Sequence, residues 1–385
     1  MRGNESNVTV LSENPFNAES DLTELIKHPI TPMSLVYSRN HGTTKDFAQE
    51  DSSGLDTYRL SIQSEVDEIS IDSLNKSFSL KDLLVYFPCQ NVTAVMSCAG
   101  NRRAKMVEKT GHDVEGLKWG EGTIANIRWG GVSLRKLLLR VGVPAQAQYD
   151  DLHVCFSSHS SVCEEDSYFG ASIPLNRAMD EEVDVLLAYQ MNDEPLSAQH
   201  GFPLRVVVPG YTATRWVKWL DHITISRHES PNFYQQRDYK VLPETVTSHR
   251  QADSEDWWSR IPPMQTIALN SVVAKVDHIS GDTDKVTVKA VGYALSHVPV
   301  DRVEISGNAG KTWVPATVTY QEGRWSWALW EGEVDVAIQT LKGGNKCATV
   351  LSQAYDGTSA KQGTKFAWNL RGIGFNGVGE ASTDL

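Results

Sequence analysis

The last third of the sequence consists of short alternating segments separated by turn residues, and this pattern constrains the fold more than any other feature. Residues 286–294 and 302–306 alternate apolar and polar side chains, and a glycine-rich turn follows the second segment. Residues 324–330 alternate strictly, and residues 347–354 continue the pattern. Period-two segments at this spacing predict an antiparallel β-sandwich of roughly 100 residues, a type of domain that more often mediates assembly than chemistry.

Helix and strand signals are mixed in the first two thirds of the sequence. Residues 58–63 alternate like a strand, and residues 204–208 form a mostly apolar run that ends at a Pro-Gly turn, as a buried strand would. Ser79 and Ser133 are good N-caps for the leucine-rich segments that follow them, so a helix is predicted after each. This mixture predicts an α/β domain.

Composition changes at residues 252–264, which are polar and then marked by tryptophan and proline, as a connector between domains would be. The chain has 385 residues, enough for about two or three domains. We therefore predict an α+β protein with an extended polar arm over residues 1–30, a mixed α/β domain over 31–255 and a β-sandwich over 256–385.

Net charge and cysteine usage exclude several classes of protein. The net charge of −12 makes nucleic acids and anionic membranes poor partners, and no apolar run is long enough to span a bilayer. The five cysteines are odd in number and irregularly spaced, without the paired spacings of a structural zinc site or a disulfide framework. With no signal peptide either, we expect a cytosolic protein. The tail at residues 383–385 partly resembles a peroxisomal signal, so the peroxisome is the alternative.

Cys98 occupies an unusual position, at the end of a strand-like run and directly before a small-residue turn and two arginines, Arg102 and Arg103. Adjacent guanidinium charges favour the thiolate, the form of cysteine that binds metals or attacks electrophiles. The same two arginines could clamp a small anion. The alternative is a buried structural cysteine beside arginines that pair with surface acids. This segment alone leaves both interpretations open.

Three further segments combine cationic, imidazole or aromatic side chains around turns, at residues 37–42, 199–205 and 215–219. Each alone is commonly structural. Their recurrence in an acidic protein is better explained by a bound polyanion, such as a phosphate-bearing cofactor. The glycines at 372–377 imitate a dinucleotide-binding pattern, but the helix and second strand that this pattern requires do not follow, so no nucleotide is predicted there.

Together these residues resemble the eukaryotic sulfite oxidase family. The resemblance covers nearly the whole chain after residue 30 and rests on motifs that occur in the family's order. They are residues 98–103, 116–120, 128–131, 170–175, 186–192, 200–205, 217–220, 237–240 and 368–372. It implies a molybdopterin-binding domain followed by an immunoglobulin-like dimerisation domain, and a homodimer that oxidises sulfite at a molybdenum–molybdopterin cofactor.

The resemblance also implies a role for individual residues. Cys98 would be the thiolate on molybdenum, since soft sulfur suits this metal. Three arginines would surround the substrate oxyanion, with an indole and a phenol lining the pocket: Arg39, Arg103, Arg371, Trp119 and Tyr239. The implied cofactor contacts are Tyr37, Ser38, Arg39, Asn40, His41, Cys98, His200, Arg205, Trp216, Val217 and Lys218.

The sequence departs from the family in several places. Ser160 or Ser161 stands where the family has an aspartate that contacts the cofactor, and Glu115 replaces a basic residue. Residues 373–377 replace a Trp-His-Arg tail. Only about 30 residues precede the match, which resembles the haem-free plant type and implies no haem and oxygen as the electron acceptor.

Two alternatives stay open at this point. One is the molybdenum module of a nitrate reductase, although such enzymes fuse haem and flavin domains and the retained Arg371 favours sulfite. The other is a non-catalytic molybdopterin-binding protein, suggested by the substitutions at Glu115 and at Ser160 or Ser161.

Overall fold

The structure is a computed structural model that describes residues 7–47, 57–72, 76–145, 149–281, 285–340 and 345–385. Within these residues most of the regular structure is β-strand, and the helices are short. The predicted α+β class is confirmed, and so is the C-terminal sandwich. The division into domains at residues 30 and 255 stays a prediction.

The arm predicted over residues 1–30 is not extended where it is described. It forms a hairpin of β1 (Val8–Glu13) and β2 (Phe16–Ser20), followed by the one-turn helix α1 (Leu22–Leu25). Asn17 and Ala18 are almost fully buried, and the backbone of Ala18 pairs with that of Ser38. Hydrogen bonds with other segments of the same chain satisfy the polar groups of β2. Composition alone could not indicate these bonds. The hairpin is therefore part of the wall behind residues 38–40.

The described residues of the α/β region contain ten strands in two sheets. They are β3 (Leu60–Ser64), β4 (Ser77–Phe78), β5 (Gln90–Ser97), β6 (Ile124–Ser133), β7 (His153–Ser158), β8 (Phe169–Pro174), β9 (Leu186–Met191), β10 (Glu194–Pro195), β11 (Arg205–Val207) and β12 (His222–Ser226). One sheet has the order β10-β9-β6-β5 with β11 beside β9, and the other has the order β4-β3-β12-β7-β8. All pairings are antiparallel except that of β3 with β12. The strands predicted near residues 58–63 and 204–208 are confirmed as β3 and β11.

Six further α-helices are described, all short. They are α2 (Leu80–Tyr86), α3 (Arg103–Thr110), α4 (Leu134–Arg140), α5 (Leu175–Met179), α6 (His249–Ser254) and α7 (Trp257–Arg260). Both predicted N-caps are confirmed, because the Ser79 and Ser133 hydroxyls accept from the first turns of α2 and α4. The predicted connector at 252–264 includes the end of α6 and all of α7, anchored by buried Ala252 and Trp258. No helix in the described ranges is long and apolar enough to span a membrane.

The C-terminal strands form a sandwich. They are β13 (Asn270–Gly281), β14 (Lys285–Leu295), β15 (Val300–Ser306), β16 (Val314–Tyr320), β17 (Ala328–Ala337), β18 (Gln339–Thr340), β19 (Lys346–Asp356) and β20 (Gly379–Asp384). Strands β13, β14, β17 and β16 form one layer, and β15, β19, β18 and β20 form the other. Apolar side chains from both layers, including Val288, Ile305, Trp330 and Val350, meet in the core.

The sandwich packs directly on the α/β region. The strand predicted from residue 324 begins only at Ala328, because the tryptophans before it face the other domain. The backbone N–H of Val95 donates to the Trp325 carbonyl at 2.9 Å, and the Trp327 indole donates to the carbonyl of Pro29 at 3.0 Å. The alternation therefore marks an interface here rather than one strand.

Arg102 fastens the turn after Cys98 to the sandwich. Its fully buried guanidinium pairs with Glu121 at 2.9 Å and donates to Asn270 Oδ1 at 2.8 Å and to the Gly377 carbonyl at 2.6 Å. It also lies 4.8 Å from the ring centroid of Phe375. The sequence suggested Arg102 as half of a clamp for a small anion, but its guanidinium instead bonds to residues of the C-terminal sandwich.

Candidate active site

Cys98 lies directly after β5, and its backbone N–H donates to the Thr123 carbonyl at 3.1 Å. The thiol accepts a hydrogen bond from the Gly100 N–H at 3.4 Å and is 8% exposed. Burial raises the pKa of Cys98 and outweighs the opposing effects of the Gly100 N–H, Arg103 and Arg39. The expected lowering by adjacent arginines is therefore wrong for the protein alone. A thiolate here needs a bound metal to displace the proton.

Cys98 is among the residues that line a cleft at this end of β5. Ten of the residues predicted for the site line it: Tyr37, Arg39, Asn40, His41, Cys98, His200, Arg205, Trp216, Lys218 and Tyr239. The three cationic segments predicted to share one ligand therefore do converge on one cavity.

The other five predicted residues do not line this cleft. The backbones of Ser38 and Val217 build its walls by pairing with Ala18 and Val206. Trp119 is 1% exposed and lies with Arg103 behind Gly100, where an added Cβ would come within about 3 Å of both side chains. The predicted place of Trp119 in the pocket lining is therefore not observed.

Arg103 is held by backbone carbonyls. Its guanidinium donates to the carbonyls of Leu117 at 2.8 Å and Gly372 at 3.1 Å. Gly372 has φ +57°, and a Cβ there would lie 2.9 Å from the Arg103 side chain. Gly372, the first glycine of the pattern at 372–377, thus permits the close approach of Arg103.

In the described part of the chain, the cations Arg39, Arg205 and Lys218 line the cleft without a carboxylate as ion-pair partner, although Glu164 lies 3.8 Å from the neighbouring His41 Nδ1. Lys218 Nζ donates to the carbonyls of Arg39 at 3.1 Å and Gln199 at 2.9 Å, and Arg205 donates to those of His200 and Trp216 at 3.0 and 3.2 Å. Burial lowers the pKa of Lys218 well below its usual value and that of Arg205 to about 10. Clustered buried cations held by neutral acceptors favour an anionic ligand.

Two unpartnered polar atoms support the fit to a polar cofactor. Arg205 Nε and the Ser158 hydroxyl are buried without a hydrogen-bond partner, and both residues line the cleft. Leaving such an atom unsatisfied costs about 1–3 kcal/mol, which a ligand with acceptor oxygens would recover. A soft thiol, cations and unpartnered donors together suit a molybdenum–molybdopterin group.

Ser158 is a site residue that sequence reasoning missed. It ends β7 and is 1% exposed. Of the two serines aligned with the family's aspartate, Ser161 lines the cleft, but its hydroxyl already donates to the Thr43 carbonyl at 2.8 Å. One residue of a serine-rich run gives no signal that its hydroxyl is buried, so Ser158 could not have been identified from sequence.

His41 connects Arg39 to Tyr239. Arg39 donates to His41 Nδ1 at 2.9 Å, and His41 Nε2 lies 2.7 Å from the Tyr239 hydroxyl. Burial, reinforced by Arg39, lowers the pKa of His41 well below its usual value, so the ring is neutral. Because a guanidinium can only donate, Nε2 carries the ring hydrogen and donates to Tyr239. The hydroxyl hydrogen of Tyr239 is then available to the cleft.

Arg371 is held by two carboxylates. It donates to Glu115 Oε2 at 2.7 Å and to Asp238 Oδ1, and its Nε donates to the Asp238 carbonyl at 3.3 Å. The same oxygen of Glu115 pairs with His249 Nε2. The substituted residue Glu115 therefore neutralises an arginine that the resemblance assigns to substrate.

Comparisons with known proteins identify the family. A family model described as an oxidoreductase molybdopterin binding domain matches residues 45–234, and one described as a Mo-co oxidoreductase dimerisation domain matches residues 262–377. A sulfite oxidase from Arabidopsis thaliana is 36% identical, with 94% of this chain and 90% of that protein covered. The chain belongs to the sulfite oxidase family. It is therefore an oxidoreductase, as predicted.

Other proteins similar to this chain differ in length. The mitochondrial sulfite oxidase of Homo sapiens is 35% identical, with 94% of this chain but 63% of that protein covered. A nitrate reductase from Phaseolus vulgaris is 32% identical over 97% of this chain and 42% of its own length. The sulfane dehydrogenase SoxCD from Paracoccus pantotrophus superposes with a TM-score of 0.73 at 23% identity, covering 97% of this chain and 87% of that one, which supports the fold.

The lowered pKa of His200 predicts how the free energy of unfolding of this protein depends on pH. Burial, with Lys218 and Arg205 nearby, lowers the pKa of His200 from 6.5 to about 3. Between pH 6.5 and about pH 3, the unfolded chain therefore binds a proton at this histidine that the folded chain does not bind. The free energy of unfolding consequently decreases as the pH falls. From pH 7 to pH 5 we expect a loss of about 2 kcal/mol from this group.

Chemical denaturation of wild type and His200→Gln at both pH values measures this effect. We expect the substitution to remove most of that pH-dependent loss, whereas His278→Asn, at an exposed position, leaves it unchanged. An equal loss in His200→Gln and wild type would contradict the prediction.

Proposed function

We propose that this protein oxidises sulfite to sulfate at a molybdenum–molybdopterin centre. The observation that carries the proposal is the single cleft in which the Cys98 thiol meets the uncompensated cations Arg39, Arg205 and Lys218. When bound, the cofactor supplies the two-electron oxygen-transfer chemistry.

The residues of the chain would divide the remaining work. We assign Cys98 to holding the metal, and the wall of His200, Arg205 and Lys218 to binding the anionic part of the cofactor. Lys218 is fixed by three acceptors, the Asn40 side chain among them, so its charge is preorganised. Fixed donors stabilise developing charge better than mobile ones.

We assign Tyr239 to holding a proton next to the substrate. Burial raises the pKa of the Tyr239 phenol, so it stays protonated, and the hydrogen bond from His41 directs its O–H away from that ring. Arg39 fixes the tautomer of His41 and would face the oxyanion with its charge. A group that acts by donating a hydrogen bond needs this arrangement.

Glu115 should weaken sulfite binding, because an oxyanion must compete with its carboxylate for Arg371. Replacing Glu115 with glutamine keeps the size of the side chain and removes the charge. We expect the KM for sulfite to fall about threefold to fivefold with kcat within about twofold, the scale of one partly exposed ion pair. Steady-state kinetics at low ionic strength measures it.

Glu68→Gln is the matched control for this prediction, since Glu68 pairs with Arg227 on the exposed surface. A KM that is unchanged or higher in Glu115→Gln would contradict the assigned competition.

The decisive experiment is an assay of the purified protein. Molybdenum and pterin contents are measured first, and then the sulfite-dependent reduction of ferricyanide and of oxygen. Bound cofactor without sulfite turnover would overturn the proposal and favour the non-catalytic alternative. The acceptor that we propose is oxygen, by resemblance to the plant type, and ferricyanide turnover without oxygen consumption would overturn that part alone.

The nitrate reductase relative keeps a second candidate open. Its match spans nearly the whole of this chain, so the fold alone does not separate the two activities. Nitrate reduction driven by a reduced dye, faster than sulfite oxidation, would favour it.

We also propose a homodimer formed through the sandwich, supported by the match to a dimerisation domain over residues 262–377. The mass in solution tests it, and a monomer at micromolar concentration would contradict it. The cytosolic location stays a prediction.

A further inference from the structure

Three side chains of the types that bind metals meet outside the active-site cleft, where β7 ends and β12 begins. His159 follows β7 directly, and Asp221 precedes His222, the first residue of β12. The two strands pair antiparallel, with His222 opposite Ser157. This pairing brings together residues that are 62 positions apart in the sequence.

The cluster is preformed around one carboxylate oxygen. Asp221 Oδ1 lies 3.0 Å from His159 Nδ1 and 2.7 Å from His222 Nδ1, and the possible ligand atoms lie within 4.8 Å of one another. The other oxygen of Asp221 accepts from the His159 backbone N–H at 2.6 Å. The His159 ring stacks on Tyr168 with centroids 4.7 Å apart. Backbone and stacking contacts therefore orient two of the three groups.

The charge at this cluster favours a cation. In the described part of the chain, the ion pairs of Asp221 are with these two imidazoles alone. The partners of this carboxylate are therefore side chains that can themselves bind a metal, and no lysine or arginine is among them. Both rings could turn a lone pair to the same point by moving the ring proton from Nδ1 to Nε2, with no change in charge.

We propose that His159, Asp221 and His222 bind one divalent cation of the zinc type. Two imidazole nitrogens and one carboxylate oxygen suit zinc, with water at the remaining position, whereas magnesium and calcium prefer oxygen ligands alone. Ligand atoms around tetrahedral zinc lie about 3.3 Å apart, so the side chains need to move by little more than 1 Å. Both histidines can do so, since their side chains are 51% and 42% exposed.

Calorimetric titration with zinc chloride tests the proposal on the intact protein. The titration uses a Cys89→Ser background, because the exposed Cys89 thiol would otherwise bind metal. We expect one equivalent to bind, and His159→Asn, Asp221→Asn and His222→Asn each to weaken binding at least about tenfold. His278→Asn, another exposed histidine, is the matched control and should bind as the parent does.

Anomalous scattering at the zinc edge, from crystals grown with the ion, gives a second readout that does not depend on affinity. A peak between the two imidazoles is expected. Undiminished binding in all three site variants, no zinc binding by the parent, or a peak elsewhere only would overturn the proposal.

Discussion

Replacing Cys98 with serine should lower sulfite turnover by at least about 100-fold while the fold is kept, since loss of even an outer partner of a metal ligand costs 10–100-fold. The thiol accepts one weak hydrogen bond from Gly100, which a serine hydroxyl can also accept. Serine offers a hard oxygen in place of a soft sulfur at the same position in the cleft. The loss should therefore appear in turnover per molybdenum rather than in the free energy of unfolding.

Cofactor content and thermal unfolding separate a lost ligand from a lost cofactor or a lost fold. Cys89→Ser is the control, since Cys89 is exposed and lies outside the cleft. A Cys98→Ser variant that carries molybdenum and turns over at the wild-type rate would refute the ligand assignment.

Replacing Arg371 with glutamine should lower kcat/KM for sulfite by about 10- to 100-fold, because a hydrogen bond between charged groups contributes about 1.5–3 kcal/mol. We expect the guanidinium to act together with those of Arg103 and Arg39, because burial and the charges of Arg371 and Arg39 lower the pKa of Arg103. Most of the loss should appear in KM, because a binding charge is removed. Steady-state kinetics over a wide range of sulfite concentrations measures this.

In Arg371→Gln, the buried carboxylate of Asp238 would lose its ion-pair partner, so this variant can also be less stable. Arg371→Lys keeps the charge without the planar fork and serves as the second variant. We expect it to unfold near the wild-type temperature and to lose about tenfold in kcat/KM. If both variants keep the wild-type KM, Arg371 does not bind the substrate.

Local patterns in the sequence predicted most of the fold. The N-caps Ser79 and Ser133 and the alternating strands of the sandwich succeeded because each depends on a few neighbouring residues. The hairpin at residues 8–20 was not predicted, because the segments that bury its polar side chains are distant from it in the sequence. The same reason explains the break before Ala328, where tryptophans that alternate like a strand pack on the other domain.

The candidate site was predictable where cationic and aromatic residues cluster locally or where the family resemblance supplied the positions. The structure added what depends on distant pairs. Glu115 and Arg371 are 256 positions apart, and nothing in either segment indicates that they pair. The direction of the shift in the Cys98 pKa also could not be foreseen, because burial outweighs the lowering effect of the arginines and the extent of burial depends on the whole fold.

The hydrogen bonds of Arg102 to the sandwich limit how domains from different relatives can be joined in one chain. Arg102 is buried against Asn270 and Gly377, while Arg371 reaches back from the sandwich side to Asp238. A chimaera that takes residues 31–255 from one relative and 256–385 from another must inherit matched partners at both contacts. Without asparagine at position 270, the Arg102 guanidinium would keep Glu121 and the backbone carbonyl of residue 377 but lose one buried acceptor beside the turn that carries Cys98. An exchange of domains between relatives therefore has to preserve these contacts.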